Sequence, residues 1–251
     1  MTFEGEEREM LSDDRSTYLE KMPHFIARNY QALLSAADPE TVVRAGLATF
    51  THGLRYLTII LISEYLTRDK ENISDPHLNE LIVRDLPLGM LQTWTDVFFW
   101  MMKVYEGYPK LLFLPELYDF YWDVSRLEEH HPREDLVRTI KRMVALRNSL
   151  ALQRLPGSPG GWHERADEVK EHLSFLFSRL GFLTRYNLLR ILDVDQGQVT
   201  AELHMGIHPA QIVLSPGQFH LQPNWYYLSD GNGYYLQLEP LLTGWDTDPD
   251  V

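Results

Sequence analysis

Apolar residues recur at helical spacing through most of the chain up to Asp193, and after that come in short runs separated by glycine, proline and asparagine. Over residues 15–34, Leu19, Met22, Phe25, Ile26, Tyr30 and Leu33 share one face, which predicts an amphipathic helix. Asp38, Pro39 and Glu40 then supply a capping side chain, a proline suited to the first helical position and an acid favourable at a helix start. The helix they open is expected to reach about Thr67. Val43, Leu47, Phe50, Leu54, Leu57, Leu61 and Tyr65 form its stripe, and Ile59, Ile60 and Ile62 widen that stripe on both sides, so it is expected to be covered on most sides.

Four more helices are expected before the glycine- and proline-rich stretch 155–161, which reads as a loop. They cover 77–86, stopped by Pro87 and Gly89; 90–105, with Trp94, Phe98, Phe99 and Trp100; 115–126; and a run opened by Pro132, Glu134 and Asp135. The last carries the stripe Leu136, Ile140, Met143, Arg147 and Leu150. A further helix is predicted over 163–189 on Val169, Leu173, Leu176, Phe177, Leu180 and Leu183. Strands are expected at 198–203, 211–214, 225–228 and 234–238, with a hairpin at Ser-Asp-Gly-Asn-Gly 229–233, whose residues tolerate positive φ. So small a sheet is expected to pack on helices rather than stand alone. The expected fold is mainly α, and α+β overall: a helical bundle over residues 1–193 and a small antiparallel β unit over 194–251, the end of the chain from Asp246 being frayed.

Composition narrows the chemistry. The net charge of -13 repels phosphate backbones, so duplex DNA is not an expected partner and RNA would need a local basic patch. The absence of cysteine removes disulfides, thiolate metal sites and thiol nucleophiles and fits a cytoplasmic protein. The charged opening of the chain does not read as a secretion signal. The most apolar run, 54–66, contains Arg55 and Glu64 and reads as a core helix, so no membrane contact is expected.

Arg147 lies seven residues after Ile140 and four after Met143, which puts a guanidinium on an otherwise apolar stripe. Asn148 follows it, on the side of Val144 and Ala151. Two polar groups so placed must find partners inside the protein, across a dimer interface, or on a ligand.

The segment 145–151, ALRNSLA, resembles the signature of HEPN domains, in which an arginine is followed four to six positions later by a histidine on a helical bundle. The helix containing Leu54, Arg55, Tyr56 and Leu57, the Leu-Pro-Leu-Gly element at 86–89, and the C-terminal Tyr-Tyr-Leu-Ser-Asp-Gly and Leu-Glu-Pro-Leu-Leu segments at 226–231 and 238–242 are similar to a bacterial subset. In that subset a HEPN-like bundle carries a small β unit and works in signalling or defence systems. The resemblance implies a homodimer, or docking to a partner protein. In active members it also implies metal-independent RNA cleavage, with histidine handling protons and arginine steadying phosphate. Here the histidine position holds Leu152, which cannot transfer a proton. The expectation is therefore a non-catalytic dimerisation or docking module without a cofactor. The alternative is an endoribonuclease using Arg147, Asn148 and a relocated histidine, for which His163 is the nearest downstream candidate.

Other signals favour ordinary structural roles. Arg126 with His130 and His131 has a similar spacing but meets Pro132, and reads as a helix end. His163 itself suits the first turn of its helix. His204 and His208 are four apart but fall between strands, where that spacing does not present a metal. Trp225, Tyr226, Tyr227, Tyr234 and Tyr235 could stack bases, yet cross-strand packing explains them without any nearby cation. Residues 157–161 lack the lysine of a phosphate loop, and no Ser-His-Asp arrangement can be argued from spacing.

Overall fold

The computed structural model describes residues 17–67, 74–125, 130–152, 159–195, 198–215 and 219–242. The fold is mainly α and α+β overall: helices dominate, and a five-stranded antiparallel sheet lies near the C-terminal end. The chain divides into two compact units, one from Asp38–Leu180 and the other from the residues up to 37 with those from 181 on. This division differs from the expected 193/194 boundary because the sheet begins earlier than its sequence suggests and holds the N-terminal segment.

The first unit is organised by one long helix. A helical stretch at residues 17–21 (α1) and α2 (His24–Ser35) precede it, and it is α3, Pro39–Thr67. Its start is as expected: Asp38 Oδ1 accepts from the Thr41 N–H at 2.9 Å, and this bonding holds the carboxyl below its ordinary range. Of its 29 residues 20 are buried. By length and composition α3 could cross a membrane, but its most apolar window is mostly buried in the structure, as a core helix is. Its buried threonine hydroxyls bond to the helix itself, Thr51 to Leu47 O at 2.8 Å and Thr58 to Leu54 O at 2.8 Å, whereas the buried Ser63 hydroxyl has no hydrogen-bond partner among the described residues. Burial pushes the Tyr56 hydroxyl well above its ordinary range.

Around α3 pack α5 (Leu91–Val104), α7 (Glu134–Ala151) and α8 (Pro159–Leu180). Between α3 and α5 the expected single helix is three short pieces: α4 (Pro76–Glu80), a π turn (Leu81–Asp85) and a 3₁₀ turn (Leu86–Leu88) ended by Gly89 at φ 72°. Asp75 caps α4 by accepting from Leu78 N at 2.9 Å. The predicted helix 115–126 is shorter: α6 is Glu116–Tyr121, after which β1 (Trp122–Asp123) pairs antiparallel with β2 (His131–Pro132). Pro132 thus lies in a strand, and α7 opens after it on Glu134 and Asp135. Arg126 lies outside the described residues, as do residues 153–158 of the predicted loop and the chain from Asp246.

In the other unit the predicted helix 15–34 is interrupted at Pro23, which has no N–H to continue a helix and instead bridges to Met205. The predicted helix 163–189 ends at Leu180; a 3₁₀ turn, Gly181–Arg185, leads into β3 (Asn187–Asp195). β3 is the central strand in the order β5-β4-β3-β6-β7, with β4 Gln198–Leu203, β5 Ala210–Leu214, β6 Tyr226–Ser229 and β7 Tyr235–Gln237. The hairpin between β6 and β7 forms as expected, Asp230 Oδ1 accepting from the N–H groups of Asn232 at 2.8 Å and Tyr234 at 3.1 Å. Ile191, Val199, Ala201, Leu221 and Tyr227 form the core of one sheet face.

The N-terminal segment is tied to the end of β4 by backbone bonds. His24 N donates to His204 O at 2.9 Å and Gly206 N donates to Met22 O at 2.7 Å. Gly206 is at φ 67°, and a Cβ there would lie 2.6 Å from the Glu20 carbonyl oxygen. Gly206→Ala is therefore expected to destabilise the protein by more than about 1 kcal/mol in denaturant unfolding, whereas an unchanged midpoint would contradict this close approach.

Candidate functional site

The stripe of α7 is buried at Leu136, Ile140 and Met143, as its spacing predicts, and half-buried at Leu150, while Val144 and Leu146 beside it are buried as well. Arg147 lies near the end of that stripe and is half-buried, with no ion pair among the described residues. Consecutive helical residues are turned about 100° from one another, and Asn148 is turned out to solvent. The expectation that both polar groups are forced inward is thus met only in part, and only by Arg147. Leu152, where a histidine would complete the HEPN signature, ends the helix with 59% exposure.

The α7–α8 pair sets the geometry around Arg147. Arg179 of α8 bonds Asp135 at 2.9 Å near the start of α7, and Arg142 bonds Glu168 farther along, so the two helices run antiparallel. Arg147 is five residues beyond Arg142, and His163 is five residues before Glu168. At about 1.5 Å per residue both steps cover the same axial length, so Arg147 and His163 sit at the same end of this helical pair. His163 is on an exposed position of α8 while Arg147 is half-buried, so the two share a level rather than a face. The helical hairpin alone brings His163 back to the level of Arg147.

Glu168 is the junction of this pair. It accepts from Arg142 and, at 2.6 Å, from Arg165, with His172 at 3.9 Å. Burial pushes its carboxyl upward, but the hydrogen bonds and charges of the two arginines outweigh that and hold it below the usual value of 4.5.

A second feature lies between α4 and α5. Val83, Leu88 and Met90 are 77%, 69% and 58% exposed, three large apolar side chains within eight residues of chain. The ledge is held in place by Arg55 of α3, whose Nη2 donates to Gly89 O at 2.9 Å and whose guanidinium lies 5.6 Å from the centre of the Trp94 ring. Sequence reasoning missed this ledge because its apolar residues look like core; the π turn and the positive φ of Gly89 are what turn them outward.

The remaining sequence candidates have structural roles. His204 is buried and its Nε2 lies 2.6 Å from Glu202 Oε2, at the junction with the N-terminal segment, while His208 is exposed. No cluster of three or more metal-ligating side chains occurs among the described residues. Tyr226 and Tyr227 are buried in the sheet, and Tyr235 packs on Phe219 with ring centres 5.2 Å apart. His130 accepts or donates at 2.6 Å with the Tyr118 hydroxyl, and His131 lies in β2. No protein-family model, curated protein or solved structure matches the chain.

Because the Glu168 carboxyl is depressed in the fold, its stabilisation is complete above the ordinary value of 4.5 and is lost as pH falls through the lower folded value. Denaturant midpoints followed from about pH 6 to about pH 2 should therefore fall less steeply in Glu168→Gln than in the native chain. Identical slopes would contradict the assignment.

Proposed function

We propose that the chain is a non-catalytic, HEPN-like interaction module that self-associates through the Val83–Leu88–Met90 ledge, in a signalling or defence setting of the kind its resemblance implies. The observation that carries this reading is the ledge itself. Single exposed apolar residues need no explanation, but three within one short segment, pinned by Arg55, make a preformed surface. Its charges suit a second copy of the same chain. Arg84 sits beside Glu80 and Asp85, so the ledge carries both signs, and a twofold contact can set each against its opposite although the whole chain is strongly negative. Leu152 at the histidine position, with no proton to give, supports the non-catalytic side of the reading.

One observation favours a second reading, a metal-independent endoribonuclease. The antiparallel α7–α8 pair holds Arg147 and His163 at one end, so a bound RNA could meet a guanidinium and an imidazole without any metal.

The first reading predicts a dimer by light scattering at micromolar concentration and at least about a tenfold weaker dimer in Leu88→Asp, with unchanged helical content. A monomer at all concentrations would overturn it. The second predicts RNA cleavage in EDTA that is lost in Arg147→Ala; cleavage of that kind would replace the first reading, and its absence would remove the second.

A further inference from the structure

The five-stranded sheet has two edges, β5 and β7. β7 is blunted by its length of three residues, but β5, Ala210–Leu214, pairs with β4 along all five of its residues. On its other side the backbone of β5 makes no hydrogen bond among the described residues. An edge in this state offers its outward N–H and C=O groups to any extended chain. Proteins ordinarily protect such an edge with a charge, an internal proline or a bulge. β5 has none of these: it reads Ala-Gln-Ile-Val-Leu, and its register against β4 runs without a shift.

The side chains and charges around the edge define what fits it. Ile212 and Leu214 pack against the cluster of Ile191, Val199 and Ala201 yet are only half-buried, so the apolar layer of the sheet stops uncovered at β5. Val213, on the opposite face beside Thr200, is 66% exposed. A further strand would continue the layer with apolar residues at alternate positions. Pro209 and Pro216, which have no N–H, bracket the edge in sequence and limit such pairing to about six residues. Between Glu202 and Asp230 the chain holds no Asp, Glu, Lys or Arg, although 24% of all its residues are charged. A charge set against this edge would find no opposite there, so the core of an incoming strand must be uncharged. Beyond that core the net charge of -13 acts on whatever approaches. It favours lysine or arginine at the flanks and disfavours a second copy, which would bring its own -13 to an edge without a lysine or arginine.

We infer that β5 is a docking edge for an extended segment of another protein, added antiparallel as a sixth strand: about five uncharged residues, apolar at alternate positions, between basic flanks. The contact uses none of the ledge residues, so it stands apart from self-association there.

The test uses the full chain and three synthetic peptides with blocked ends, followed by calorimetry and hydrogen exchange. The first is Lys-Lys-Val-Thr-Val-Thr-Ile-Lys-Lys; the second replaces its central valine with proline; the third keeps the core and replaces the four lysines with glutamates. The first is expected to saturate and to add exchange protection within 210–214. The proline peptide, with the same charge but an interrupted ladder, should bind at least about tenfold more weakly, which separates strand pairing from attraction of a cation to an acidic chain. The glutamate peptide should also bind at least about tenfold more weakly. Val213→Lys, at an exposed position that leaves the sheet intact, should weaken the first peptide to a similar extent, about tenfold, by setting a charge on the edge. The assignment is overturned by no saturation at about 1 mM, by equal binding of the proline or glutamate peptide, by protection outside 210–214 alone, or by full binding to Val213→Lys. Protection of 210–214 that rises with protein concentration when no peptide is present would give the edge to a second copy and overturn it as well.

Discussion

The helical unit depends on a single helix that is almost wholly covered, and on what its two charges do. α3 presents apolar side chains around most of its circumference, so helices pack on it from several sides. Arg55 and Glu64 interrupt its apolar run, and each is used to hold backbone from elsewhere. Arg55 donates to Gly89 O, and Glu64, 2% exposed, accepts from the Phe113 N–H at 2.6 Å. A charge buried without such a partner would cost several kcal/mol, roughly. The two charges therefore act as pins. They fix the irregular chain on either side of α5, and one of these stretches is the exposed ledge on which the interaction reading rests.

The β unit is held together differently. Its N-terminal part and its sheet are far apart in sequence: the His24 Nδ1 and Gly206 O atoms, 2.9 Å apart, are separated by 182 residues. Backbone bonds at Met22, His24, His204 and Gly206 close that gap, and the positive φ of Gly206 lets the two chains approach. Contacts of such long range cost loop-closure entropy before they return any stabilisation, so this unit cannot be completed until both ends of the chain are present.

Much of this was legible in the residues. Asp38, Pro39 and Glu40 marked the start of α3 because capping is local chemistry, and the glycines of 229–233 marked the β6–β7 hairpin for the same reason. What escaped were features decided at a distance. The leucines of 188–192 continue a helical spacing, yet pairing with β4 on one side and β6 on the other makes them the central strand. Pro23 lies within a good amphipathic pattern and still breaks it, since its missing N–H outweighs the periodicity. Of the candidate site, the position of Arg147 on the α7 stripe could be read, and its half-burial reflects a stripe that runs out near the helix end. The outward turn of Val83, Leu88 and Met90 could not be read, because apolar residues carry no mark of exposure and the π turn that redirects them has no sequence signature of its own.

The interaction reading turns on whether a second copy covers the ledge that Arg55 pins in place. Hydrogen exchange of the full chain, measured across a dilution series, addresses that directly. The account predicts that amides of 81–90 become more protected as concentration rises while those of the sheet do not. Protection of 81–90 that is independent of concentration would contradict it.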